Sequence, residues 1–152
     1  MTWDDVAWVR DQWPGRLVVK GVLDPEDAVR CVDVGADGVV VSNHGGRQLD
    51  GAVASLDALP EIVDAAGAAM PVLFDGGVRR GTDALTALAL GARMVLLGRP
   101  PLWGLAAAGA DGVEGLLRTT TEELAHAMAL AGRPRLADLD RSVVRARSGD
   151  ER

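Results

Sequence analysis

Val39-Val40-Val41-Ser42-Asn43-His44-Gly45-Gly46-Arg47-Gln48-Leu49-Asp50 is the stretch on which the reading of this chain turns. Three consecutive β-branched residues make a short apolar run, the pattern of a strand buried on both faces of a parallel sheet. The nine residues that follow carry six polar side chains and two glycines, so they form a loop and not core. A buried strand running straight into a polar loop is how α/β folds present chemistry, at the C-terminal ends of parallel strands. Three further runs match the first: Leu17-Val18-Val19, Val72-Leu73-Phe74 and Met94-Val95-Leu96-Leu97.

Helical patterns alternate with these runs. Thr2–Trp13 predicts a helix, with Asp4 and Asp5 in its first turn favouring the dipole, and Gly15 ends it. Asp24-Pro25 predicts a capped start, Ala28, Val29 and Val32 a buried stripe, and Gly35 a stop. Leu56, Leu59, Ile62 and Val63 line the next helix, closed by Gly67. Thr82 or Asp83 starts another, with Leu85, Leu88 and Leu90 inward and Gly91 as the stop. Pro100-Pro101 leads through an Ala-rich segment into a long helix from about Val113 to Ala131. The expected organisation is one unit over residues 1–152: a helix in 1–14, four βα units in 15–132 and a tail over 133–152.

Strand–helix alternation means an α/β fold with right-handed crossovers. Four such units are half of a (β/α)8 TIM barrel, which typically needs about 250 residues. They also suit a small open, doubly wound sheet. Periodicity does not choose between the two.

The composition, 48% hydrophobic and 25% charged over 152 residues, is that of an ordinary globular chain with a core. No apolar run reaches the roughly 18 residues of a membrane span. The first residues lack the basic and apolar regions of a signal peptide, so a cytoplasmic protein is expected. A net charge of −6 argues against nucleic-acid binding, which needs cations for phosphates. Cys31 is the single cysteine and the histidines are His44 and His126 alone, which leaves no disulfide and no Cys or His metal cluster. Cys31 reads as a small buried hydrophobe and His126 as solvated. Trp3, Trp8 and Trp13 recur every five residues, which is not one helical face; packing or a subunit contact accounts for them.

Candidate site residues gather at strand ends. Lys20, the chain's one lysine beside fifteen arginines, closes the first run, where it would point into a barrel mouth. Its bland alternative is a snorkelling surface amine. In the overlong loop after the second strand, His44 suits a general base and Arg47 offers a fork for a carboxylate. Asp75-Gly76-Gly77-Val78-Arg79-Arg80-Gly81-Thr82 follows the third strand into a helix, and Gly98-Arg99 follows the fourth. Glycines there let N–H groups approach a phosphate, the helix N-terminus favours the anion, and the arginines pair with it. Such sites in barrels commonly use the loops after strands 7 and 8. Gly-rich turns with solvated arginines would look the same.

The strings Val18-Val19-Lys20-Gly21, Val41-Ser42-Asn43-His44-Gly45-Gly46-Arg47-Gln48-Leu49-Asp50, Asp75-Gly76-Gly77-Val78-Arg79-Arg80-Gly81 and Gly98-Arg99-Pro100 closely resemble the FMN-dependent 2-hydroxy acid dehydrogenases, a family that includes glycolate, lactate and mandelate enzymes. The resemblance runs from Thr2 to about Asp140 and implies a TIM-barrel flavoenzyme whose C-terminal half this chain supplies. It implies FMN as cofactor and oxidation of a small (S)-2-hydroxy acid to a 2-oxo acid. It implies that Lys20 lies at the N1–C2 carbonyl edge of the flavin and that Ser42 contacts FMN. His44 would be the catalytic base and Arg47 the carboxylate clamp. Asp75, Gly76, Gly77, Val78 and Arg79, with Gly98 and Arg99, would hold the ribityl phosphate.

The family's other half normally gives tyrosines to the substrate and an aspartate to the histidine, and this chain has no tyrosine. Three readings accommodate that: a piece of a longer product, a half-barrel subunit pairing with itself or with a separate N-terminal half, or an inactive remnant. Two functional alternatives stand beside oxidation. One is a non-catalytic FMN- or phosphate-binding half-barrel, the other a peptide-modifying relative of the family.

Overall fold

The computed structural model describes residues 1–144; the end of the expected tail, residues 145–152, lies outside the described residues. The elements run α1 (Trp3–Gln12), β1 (Val18–Val22), α2 (Pro25–Asp33), β2 (Gly38–Val41), α3 (Ser55–Ala66), β3 (Val72–Phe74), α4 (Gly81–Ala89), β4 (Met94–Val95) and α5 (Arg99–Leu130). A 3-10 turn at His44–Gly46 interrupts the loop after β2, and two more follow α5.

All strands are parallel and stand in the order β1-β2-β3-β4. A sheet joined by right-handed crossovers whose order never reverses carries its helices on one face, as a barrel segment does. A doubly wound sheet needs a reversal at a switch point, and this sheet has none. The architecture is therefore half a barrel.

Register sorts the strand residues onto two faces. Val22, Val39, Val41, Val72 and Phe74 pack with Ala28, Cys31, Leu59, Ile62 and Ala87 from the helices in one core. Val18, Lys20, Val40, Leu73 and Met94 share the opposite face, the inward face of a closed barrel. That face is uncovered at both edges, with Val18 44% and Met94 57% exposed.

Local chemistry explains the element ends. Thr2 and Asp5 form a capping box on α1, Asp24 caps α2 ahead of Pro25, and Gly35 and Gly91 take the positive φ that stops α2 and α4. Among the described residues no helix is long and apolar enough to cross a membrane.

Several expectations need correction. β1 runs on to Val22, so Lys20 lies inside the strand and not at its end. The extension comes from a bulge: Lys20 pairs with Val40 and Val22 with Val41, leaving Gly21 over. β4 is two residues long, and Leu96 and Leu97 already belong to the loop above it. Val29 and Leu56 are exposed; Cys31 and Ala58 fill those places in the core. Helix starts at Arg99, with no separate Ala-rich segment, and α5 folds back at Ala108 and Gly109, which leave helical geometry. Its two arms meet where Gly104 faces Gly112: a Cβ on Gly104 would stand 2.6 Å from the Gly112 carbonyl oxygen.

Candidate active site

One cleft of about 530 Å³ opens at the C-terminal ends of the strands. Its lining includes Lys20, His44, Arg47, Asp75, Gly76, Gly77, Val78, Arg79, Gly98 and Arg99, so every candidate except Ser42 borders the same space. Three loops and one strand bring them there, from positions up to 79 residues apart between Lys20 and Arg99 (99 − 20). A volume of this size lies within the usual range of small-molecule sites, roughly 300–1,000 Å³.

Ser42 is fully buried beneath the cleft. Its Oγ accepts from Lys20 Nζ at 2.9 Å and from the His44 backbone N–H at 3.0 Å. One hydroxyl thus ties the lysine of β1 to the histidine loop of β2. Lys20 Nζ also stands 2.8 Å from Asp75 Oδ2, an ion pair reaching to the end of β3. The other Asp75 oxygen, Oδ1, is buried without a hydrogen-bond partner. Burying an unpaired acceptor is costly, by about 1–3 kcal/mol, so a donor from a ligand would relieve it.

His44 occupies the left-handed region at φ 55, followed by Gly45 at 67 and Gly46 at 75. Asn43 makes this possible, its Oδ1 accepting from Gly45 N–H at 3.0 Å in an Asx turn. Ser55, buried at the start of α3, accepts from the Asn43 N–H at 2.9 Å and anchors the turn from behind. A non-glycine residue held at positive φ costs on the order of 1–3 kcal/mol and is characteristic of functional sites.

The charge of the cleft runs against that of the chain. Among the described residues Arg47, Arg79 and Arg99 make no ion pair, whereas Arg80, next to Arg79, pairs with Glu123. Three guanidinium groups without an ion pair on one cleft, beside a lysine paired with Asp75, make the cleft locally electropositive in a chain of net charge −6. Gly77 and Gly98 leave open ground, since a Cβ on either would meet nothing within 4 Å.

The N-terminus of α4 is not available to an anion, contrary to the expectation. Arg79 and Arg80 donate their N–H groups to Asp83 Oδ2 at 2.9 and 3.0 Å, and Gly81 donates to Glu123 Oε2 at 2.8 Å. Hydrogen bonding from the Gly81 N–H, and next from Arg80, holds the Glu123 carboxyl below its ordinary value. The start of α5 after Gly98 has no side-chain cap and borders the cleft.

Sequence reasoning missed Gln48, Leu96, Leu97, Pro100, Leu102 and Trp103 on the lining. The last three come from the first turn of α5, where the alanine run after them drew the reading away from a helix. Asn43 and Ser55 were also passed over as supports, although Asn two residues ahead of a glycine pair, as Asn43 is of Gly45-Gly46, is a turn signal.

Residues 1–146 match the model of the FMN-dependent dehydrogenase family. The chain is 56% identical over 144 residues to L-lactate oxidase of Nostoc sp., covering 95% of this chain and 40% of that relative. It is 50% identical over 145 residues to 2-hydroxyacid oxidase 1 of Mus musculus, covering 95% and 39%. The fold superposes with a TM-score of 0.92 on a soluble mutant of the membrane-associated (S)-mandelate dehydrogenase from Pseudomonas putida, at 46% identity, covering 96% of this chain and 41% of that one. The chain thus spans about two fifths of the length of the relatives it matches.

Proposed function

The chain belongs to the FMN-dependent dehydrogenase family, and from that premise we propose that it is the C-terminal half of an enzyme that oxidises a small (S)-2-hydroxy acid, lactate- or glycolate-like, to the 2-oxo acid in the cytoplasm. The observation that carries the reading is the convergence of His44, Arg47, Lys20, Arg79 and Arg99 on one cleft. The residues fit FMN. Asp75 Oδ1, buried and unpartnered, suits a ribityl hydroxyl, while Arg79, Arg99 and the open backbone at Gly77 and Gly98 suit the phosphate, with Gly76 and Val78 on the same lining. FMN supplies the two-electron acceptor that no side chain here provides.

The chain's own residues do the rest. Arg47 binds the substrate carboxylate through its planar fork and so fixes the α-carbon in the cleft. His44 takes a substrate proton at its imidazole, the side chain best matched to that task near neutral pH. Lys20 brings a positive charge to the cofactor edge, and Asp75 and Ser42 hold that charge in place through their contacts with Nζ. The face bearing Val18 and Met94 is closed, in this proposal, by the remaining strands of an eight-stranded barrel, which also bring the tyrosine contacts that this chain lacks.

The test is an anaerobic visible spectrum of the chain with FMN, before and after L-lactate or glycolate, alone and with the missing barrel half supplied. His44→Ala is expected to retain the perturbed flavin band and lose its bleaching by substrate. Arg79→Ala is expected to weaken FMN binding first. Binding without bleaching in the completed wild-type barrel would favour a non-catalytic FMN-binding half. Equal loss of both properties in both variants would refute the assignment of roles.

A further inference from the structure

Gly21 is the one residue that the bulge leaves over in β1, and it has φ +100. A Cβ built on it would stand 2.7 Å from His44 Nε2 and 3.5 and 3.6 Å from the ring carbons Cδ2 and Cε1. Nε2 is the nearest ring atom by 0.8 Å (3.5 − 2.7), so that point lies on the Nε2 side of the ring. The imidazole therefore rests in the space that any side chain at position 21 would fill. Among the described residues no hydrogen bond holds the imidazole itself; Ser42 holds only the backbone N–H of His44.

We infer that Gly21 is a positioning residue for His44: its missing side chain sets where the imidazole stands and leaves Nε2 uncrowded. The inference rests on reading His44 as the base, and it adds a reason for glycine immediately after Lys20. Alanine at position 21 would put a methyl group, which neither gives nor takes a proton, at hydrogen-bond distance from Nε2. The imidazole is the far end of a rotatable side chain, so it yields before the strand does. A misplacement of about 1 Å can lower a rate on the order of 10²-fold.

The test uses the full chain and reads the imidazole directly. With histidine side chains labelled with ¹⁵N, the chain shows only His44 and His126, and His126 is exposed on α5, a built-in control. Gly21→Ala is expected to move the His44 ring signals and leave those of His126 in place. A thermal-unfolding cycle separates contact from backbone strain: the Tm loss caused by Gly21→Ala should shrink when His44 is already alanine, because only the contact is then absent. In the FMN-loaded, completed barrel, kcat should fall about 10²-fold with KM and FMN affinity held. Unchanged His44 signals, or an equal Tm loss in both backgrounds, would overturn the inference. Full turnover by His44→Ala would instead overturn the base assignment and leave the seat of the ring standing.

Discussion

Gly81 sits where two readings collide, as part of a phosphate-approaching glycine loop or as a packing residue, and Gly81→Ala separates them. A Cβ there would stand 2.5 Å from the Glu123 carbonyl carbon and 2.6 Å from its Cβ, and closer still to the Leu124 nitrogen. Ordinary contact begins at 3.4 Å, and the obstacle is mostly backbone of α5, which cannot rotate away. The start of α4 must lift off α5, which also pulls Gly81 N–H from Glu123 Oε2. Overpacking of this kind costs about 1–3 kcal/mol, and a backbone obstacle points to the upper end. For a chain of this size each kcal/mol moves Tm by about 2–4 °C, so a fall of roughly 6–12 °C is expected. Differential scanning calorimetry with and without FMN is the assay. A wild-type Tm combined with weakened FMN binding would refute the packing argument and restore the loop as the phosphate contact.

Three further predictions concern groups around the same framework. Cys31 is fully buried, and burial, reinforced by the Asp27 charge, pushes its thiol up to about 11, so it should resist a disulfide reagent at about pH 8 until the chain unfolds. Ser55→Ala leaves the Asn43 N–H without its acceptor; a loss of about 1–3 kcal/mol is expected, and faster amide exchange at Asn43 to Gly45 would show the histidine turn loosening. Glu123 has a carboxyl held below its ordinary 4.5, so its stabilisation is complete above that pH and fades as pH falls through the lowered value. The Tm gap between wild type and Glu123→Gln should therefore narrow on acidification from about pH 7 to about pH 3, and a gap independent of pH would remove the ionised cap.

The class of fold and the ionisable residues of the cleft were legible in the chain itself because both follow from local pattern. Val39-Val40-Val41 must be buried on both faces, and Ser42 to Asp50 cannot be, so strand and site loop separate at Ser42. Asp24-Pro25 marks a helix start because a side-chain oxygen before a residue without N–H is the chemistry of an N-terminus. The site residues His44, Arg47, Arg79 and Arg99 stood out through their position after strands, and the structure places them around one space.

Distance in space was not legible. Whether four βα units curl as half a barrel or open as a doubly wound sheet depends on strand order, and β1-β2-β3-β4 appears only when the strands pair. That Asp75 pairs with Lys20 depends on β1 and β3 flanking β2, whose C-terminal end carries Ser42. That Arg79 is uncommitted while Arg80 is paired depends on where α5 carries Glu123. Gly21 and Gly81 look alike in sequence as glycines beside a cation, yet one makes room for an imidazole and the other for a helix backbone. Local sequence sets which backbone a residue prefers; what stands across from it, and hence what its side chain or lack of one is for, is decided by packing between segments far apart in the chain.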